Sequence, residues 1–220
     1  MQNVLVNEHV ILLHGLARTS RSMAKLEAAL RGAGYSVDNV DYPSRTAVVE
    51  RLAEALFPVV LGSAAARSAE VIHFVTHSMG GILLRYYLEA EGIAKAGRAV
   101  MMAPPNQGSE VVDCLRRQRL FQIVNGPAGQ QLGTDADSLP RRLGPVTIPC
   151  GVIAGSRTIN WIQSLCMIPG RNDGKVSVES TRVEGMLDHI VLPVSHPLIM
   201  RNQRSISQTL HFLREGRFAR

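Results

Sequence analysis

Short unbroken apolar runs alternate along this chain with longer stretches in which apolar residues recur every three or four positions. His9-Val10-Ile11-Leu12-Leu13 is the first such run. Apolar residues at every position, not every second one, mark a strand buried on both faces. Met23, Leu26 and Leu30 follow at helical spacing, and Gly32 and Gly34 close that helix. Tyr35 to Tyr42 reads as a weaker strand closed by Pro43. A second helix starts at about Thr46 with Val49, Leu52 and Leu56 inward, and Pro58 is expected to end or kink it. Ser63 to Ser68 reads as a small polar connection. Val71 to His77 is again an apolar run, and the pattern turns sharply at Ser78 into a helix that reaches Glu91.

The second half continues the alternation. Arg98 to Met102 reads as a strand, followed by a loop from Ala103 to Ser109. Leu115 to Pro145 is the least regular part, rich in Gly, Gln, Asp and Pro, with at most a helical turn at Leu120–Val124. Strand character resumes over Thr147–Gly155. A long loop containing Trp161 leads to Asn172-Asp173-Gly174, and Val176–Thr181 reads as a short helix. His189 to Val194 is the last strand, and a terminal helix carries Leu210 and Phe212. Strands alternating with helices over the whole length predict an α/β fold: a mostly parallel sheet of about six strands with helices on both faces. We expect one domain over residues 1–220, with a variable segment at about 110–145.

Composition narrows the class. With 220 residues, 45% hydrophobic and 19% charged, the chain can bury a sizeable core. No apolar stretch approaches the length of a membrane span. Met1 to Glu8 has neither a basic start nor an apolar centre, so it does not read as a signal peptide, and a cytoplasmic protein is expected. A mature secreted chain without its leader reads the same way. Cys114, Cys150 and Cys166 are odd in number and lack metal-ligand spacing, which favours free thiols and no metal. The net charge of +6 comes with only 5% aromatic residues and no basic-aromatic interleaving. That pattern argues for a solvated basic surface, not a nucleic-acid partner.

The candidate chemistry centres on Ser78. A strand that reverses into a helix through a small-residue corner is the setting of a nucleophile elbow. The G-x-S-x-G pattern stands here as Thr76-His77-Ser78-Met79-Gly80, with threonine in place of the first glycine. A serine hydroxyl needs a base, an orienting acid and donors for an oxyanion. His14-Gly15-Leu16 follows the first strand, so the backbone amides of Leu16 and Met79 are the expected oxyanion donors. His77 neighbours Ser78 around a sharp turn and points away from it. It is a poor base, although His77 and His14 both flank the site. His196 lies beyond the carboxyl end of the last strand, where a parallel sheet places its site; His189 lies at the amino end. His196 is therefore preferred. Asp173, in a turn after the preceding strand, is the preferred acid, with Asp113 and Asp188 as rivals.

Taken together, His14-Gly15-Leu16, His77-Ser78-Met79-Gly80-Gly81, Pro105-Asn106-Gln107-Gly108-Ser109, Asn172-Asp173-Gly174-Lys175-Val176 and Ser195-His196 resemble a small α/β-hydrolase of the bacterial lipase and esterase type. The resemblance covers almost the full length. It implies a minimal α/β-hydrolase fold, a Ser78, Asp173, His196 triad, Leu16 and Met79 as oxyanion donors, a small-molecule or lipid ester as substrate, and no cofactor. An acyl pocket is expected to be lined from the 115–145 segment and from Trp161, Ile162 and Leu165, whose apolar residues read equally well as ordinary core. The segment after Ser109, where relatives place a lid, is short, which implies no large interfacial lid. The same triad serves acyl transfer or thioester cleavage, and a non-catalytic relative would show the loss of a triad residue.

Overall fold

The computed structural model describes residues 7–158 and 168–220. Six parallel strands form one sheet: β1 (Glu8–Leu13), β2 (Ser36–Val40), β3 (Val71–His77), β4 (Ala96–Met102), β5 (Cys150–Gly155) and β6 (Asp188–Leu192). Their order across the sheet is β2-β1-β3-β4-β5-β6. The chain moves from β1 to β2 on one side and then returns to build β3 on the other. The gap between the carboxyl ends of β1 and β3 is therefore the switch point of the sheet, where ligand crevices form.

Alternation within the strands divides the core between two faces. Val10 and Leu12 of β1, Val75 of β3 and Val100 and Met102 of β4 face α1 (Ala24–Gly32) and the terminal helix, here α8 (Gln203–Glu215). Ile11 and Leu13, Phe74, and Ala99 and Met101 face α2 (Val49–Leu61) and α4 (Met79–Ala90). Successive strand residues point to opposite faces, so both layers come from the same apolar runs. Asn202 caps α8 by accepting the amides of Arg204 and Ser205, and Gly216 ends it at φ 72°.

Pro58 does not end α2, which runs on to Leu61. Pro58 lies on the exposed side, where water can take the carbonyl it frees, while Phe57 and Val60 hold the buried side. Residues Ala64–Ser68 form a helix, α3, not a connection. The Ser63 hydroxyl accepts the Ala66 amide at 3.1 Å, and three alanines propagate the turn. The 110–145 segment is also helical: α5 (Glu110–Leu115), α6 (Arg119–Gln130) and α7 (Leu139–Arg142). Its helices escape periodicity because α6 exposes Leu120 and Ile123 and buries Ala128 and Gly129, and because it bends at Gly126. A side chain on Gly126 would fall 2.0 Å from the Arg45 carbonyl. No helix among the described residues is long and apolar enough to cross a membrane.

Candidate active site

The carboxyl end of β3 sets the site. Ser78 follows it directly with φ 52° and ψ −122°, a conformation disfavoured for any residue with a side chain. The surroundings enforce it. The Ser78 amide donates to Met102 O of β4, and α4 begins at the next residue. A Cβ on Gly80 would lie 2.6 Å from Leu13 O of β1, so only glycine lets the helix start this close to the sheet. A Cβ on Gly81 would lie 3.3 Å from Thr76 Oγ1. The missing side chain at Gly81 thus gives Thr76 its space, which explains how threonine fits where the motif has glycine. Its hydroxyl is buried without a partner among the described residues.

His196 opens a 3-10 turn (His196–Arg201) beyond β6. Its Nε2 lies 3.1 Å from Ser78 Oγ, and its Nδ1 lies 2.8 Å from Asp173 Oδ2. A carboxylate only accepts, so Nδ1 carries the proton and the Nε2 lone pair faces the serine hydroxyl. Asp173 is buried, and its other oxygen accepts the amides of Lys175 and Val176, each at 2.9 Å. The His196 amide donates to the Asp173 carbonyl at 3.0 Å, so acid and histidine are tied through backbone as well as side chain. Gly155, at the end of β5, makes room for this loop: a Cβ there would lie 2.7 Å from Asp173 Cβ.

The rival residues are engaged elsewhere. Asp113 accepts the Thr134 amide and hydroxyl, and Asp188 accepts the amides of Phe218 and His189. His189 Nε2 sits 2.9 Å from Thr181 Oγ1. Four residues separated by up to 180 positions (196 − 16), Leu16, Ser78, Asp173 and His196, thus meet at the switch point.

The loop after β1 lies over the elbow. A Cβ on Gly15 would stand 2.7 Å from His77 Nδ1 and 3.0 Å from Ser78 Cβ. Glycine is what brings the Leu16 amide to the serine. Among the described residues, the amide of Leu16 donates to no acceptor, and that of Met79, first in α4, has no intrahelical one. Both are free for a developing negative charge, which the positive end of the α4 dipole also favours.

His77 and His14 separate in role. His77 is buried beside His196, with ring centroids 4.8 Å apart, and its Nε2–H donates to the His196 carbonyl at 3.1 Å. Burial holds its pKa well below the ordinary histidine value, and the charges of His196 and Arg18 push the same way, so it stays neutral. His14 does not line the cavity at Ser78. It is buried behind it, stacked on Tyr42 at 4.1 Å, with Nδ1–H donating to Gly15 O at 2.9 Å. These contacts tie it to the turn after β1, and burial lowers its pKa. Trp161, with Ile162 and Leu165, lies outside the described residues.

A cavity of about 290 Å³ opens on Ser78 and His196. Its apolar wall includes Leu16, Val112, Phe121, Leu132 and Val176, so α5 and α6 cover the site. Two cations at its rim, Arg18 and Lys175, escaped the reading of the sequence; their only signal was adjacency to the His14-Gly15 and Asn172-Asp173-Gly174 turns. Among the described residues, no group of three or more His, Cys, Asp or Glu side chains converges in a way that could hold a metal ion.

Residues 10–170 match the Alpha/beta hydrolase family. No curated protein matches the chain. Among solved structures, the mature form of the Bacillus licheniformis lipase BlEst2 superposes with a TM-score of 0.73 at 17% identity, over 95% of this chain and 93% of that one. A metagenomic carboxyl esterase superposes with a TM-score of 0.67 at 18% identity, over 89% of this chain and 66% of its own. Phospholipase PlaB from Legionella pneumophila gives 0.69 at 17% identity, over 93% of this chain and 56% of its own. At such identities these likenesses concern the fold.

Proposed function

The chain belongs to the Alpha/beta hydrolase family, and from that premise we propose that it is a serine hydrolase that cleaves carboxylic esters through an acyl-enzyme. The reading rests on one observation: Ser78 Oγ, His196 Nε2, His196 Nδ1 and Asp173 Oδ2 form a continuous hydrogen-bonded chain at 3.1 and 2.8 Å. That chain opens on a cavity with an apolar wall.

Ser78 Oγ attacks the ester carbonyl carbon as its proton passes to His196 Nε2. The carbonyl π electrons move to oxygen, where the amides of Leu16 and Met79 receive the negative charge. Asp173 holds the imidazolium by its Nδ1–H. Collapse breaks the bond to the alcohol oxygen, which takes the proton from Nε2 and leaves acyl-Ser78. Water then attacks with His196 as base, and the second collapse releases the acid and restores the serine hydroxyl. A small molecule or lipid carrying an ester is the substrate class this pocket suits.

The test is Ser78→Ala. It should lower hydrolysis of short-chain p-nitrophenyl esters by orders of magnitude and abolish labelling by a fluorophosphonate probe. Undiminished turnover or labelling in the folded variant sinks the reading.

A further inference from the structure

The cavity wall carries two full charges, and both are positive. Arg18 leaves the loop after β1, two residues past the Leu16 amide, and Lys175 follows Asp173 by two residues. Among the described residues, no acidic side chain lines the cavity. Both cations have fixed backbones. The Arg18 amide donates to Gly15 O; the Lys175 amide donates to Asp173 Oδ1, and its carbonyl accepts the Ser109 hydroxyl at 2.7 Å. Their side chains have no such tie. Neither makes an ion pair or a side-chain hydrogen bond among the described residues, whereas Arg31, Arg116, Arg142 and Arg182 all reach a carboxylate. Residues 1–6 and 159–167 contain no Asp or Glu that could supply one.

The Arg18 charge also reaches the interior of the site, since it helps to hold down the pKa of His77. A half-buried guanidinium beside an apolar wall is a poor place for an unneutralised charge, and an anion there would regain a charge-assisted contact. The apolar wall and the two cations thus describe a ligand with two parts.

We propose that the substrate carries an anionic group, a carboxylate or a phosphate, on the same molecule as the scissile ester and within reach of Arg18 and Lys175. The inference rests on the esterase reading above and adds the substrate's charge to it. Arg18 enters next to an oxyanion donor and Lys175 next to the acid, so the two approach the bound ester from different loops.

The experiment compares matched esters that differ in charge. One arm sets p-nitrophenyl hydrogen adipate against p-nitrophenyl hexanoate. The other sets 1-butyrylglycerol 3-phosphate against 1-butyrylglycerol. At low salt the kcat/KM ratio, anionic over neutral, should reach about tenfold on at least one arm, and the arm identifies the group. The ratio should collapse toward one in Arg18→Gln/Lys175→Gln, and stay at the wild-type value in Lys25→Gln, which removes an exposed cation of α1. A wild-type ratio below about threefold on both arms, the reach of an ordinary screened surface pair, overturns the inference. So does a ratio that survives the double substitution. If the neutral esters are cleaved while the ratio fails, the esterase reading stands alone. If no ester is cleaved, both fall together.

Discussion

Replacing Asp173 by asparagine tests the proposed machinery more sharply than deleting it, because the hydrogen bonds of that carboxylate predict which way the amide must face. Oδ1 accepts the amides of Lys175 and Val176 at 2.9 Å each, and Oδ2 accepts His196 Nδ1–H at 2.8 Å. With the asparagine oxygen at the Oδ1 position, the two backbone bonds survive and the NH2 group faces His196. The imidazole must then offer a lone pair at Nδ1 and carry its proton on Nε2, so it can no longer take the proton of Ser78. The opposite orientation restores the tautomer but turns the NH2 toward two amide donors, one buried and one partly buried. Leaving both unpaired costs at least about 2 kcal/mol. At that cost roughly 3% of molecules hold the competent tautomer, so kcat/KM should fall by at least about 30-fold. A fully wrong tautomer gives a loss of about 10⁴-fold. The assay is kcat/KM on p-nitrophenyl butyrate, with thermal unfolding to verify the fold. Fluorophosphonate labelling should slow in parallel, since it draws on the same nucleophile. A loss under about tenfold in a folded variant refutes the reasoning, because His196 would then be oriented by something other than Asp173.

Other outcomes follow from single contacts. Gly155→Ala places a Cβ 2.5 Å from Val194 O and 2.7 Å from Asp173 Cβ, and the displaced carboxylate should lower kcat about a hundredfold; an unchanged kcat counts against this role of Gly155. Thr76→Val removes a buried hydroxyl without a partner among the described residues, and should raise the urea unfolding free energy by about 1 kcal/mol at constant m. A lower midpoint would contradict it. His9, His14, His73, His77 and His189 all have pKa values lowered below 6.5, burial being the first cause in each. The unfolded chain therefore binds more protons below pH 6.5. Their contribution to stability is complete above that pH and is lost as the pH falls below it. The thermal midpoint should drop between pH 7 and pH 5, and a flat or rising profile would exclude the effect.

Much of this fold was legible because its strands are buried on both faces. Such strands must be apolar at every position, so β1, β3 and the end of β4 stand out from a single sequence. The elbow was legible for a related reason: a strand that turns at once into a helix needs small residues there, and Gly80 and Gly81 follow Ser78 by two and three positions. The helices over 110–145 were not legible. A covering helix that exposes Leu120 and Ile123 and buries Ala128 and Gly129 has no apolar stripe to read. The helix at Ala64–Ser68 is not legible because a short run of alanine and serine fits a polar connection as well as it fits a helix started by a serine cap.

By itself, then, the sequence determined the layered class of the fold, the strands and the identity of the small set of residues able to do nucleophilic chemistry. These depend on periodicity and on the close packing of near neighbours, and both are local. Only the tertiary structure decided which of those residues meet. Parallel strands in the order β2-β1-β3-β4-β5-β6 carry Leu16, Ser78, Asp173 and His196 to one edge across long stretches of chain. The same packing turns His14 away behind Tyr42, sets neutral His77 against the back of His196, and leaves Arg18 and Lys175 facing a cavity without a counter-charge. Such distances and pairings come from the closing of the sheet and its covering helices, and no local pattern encodes them.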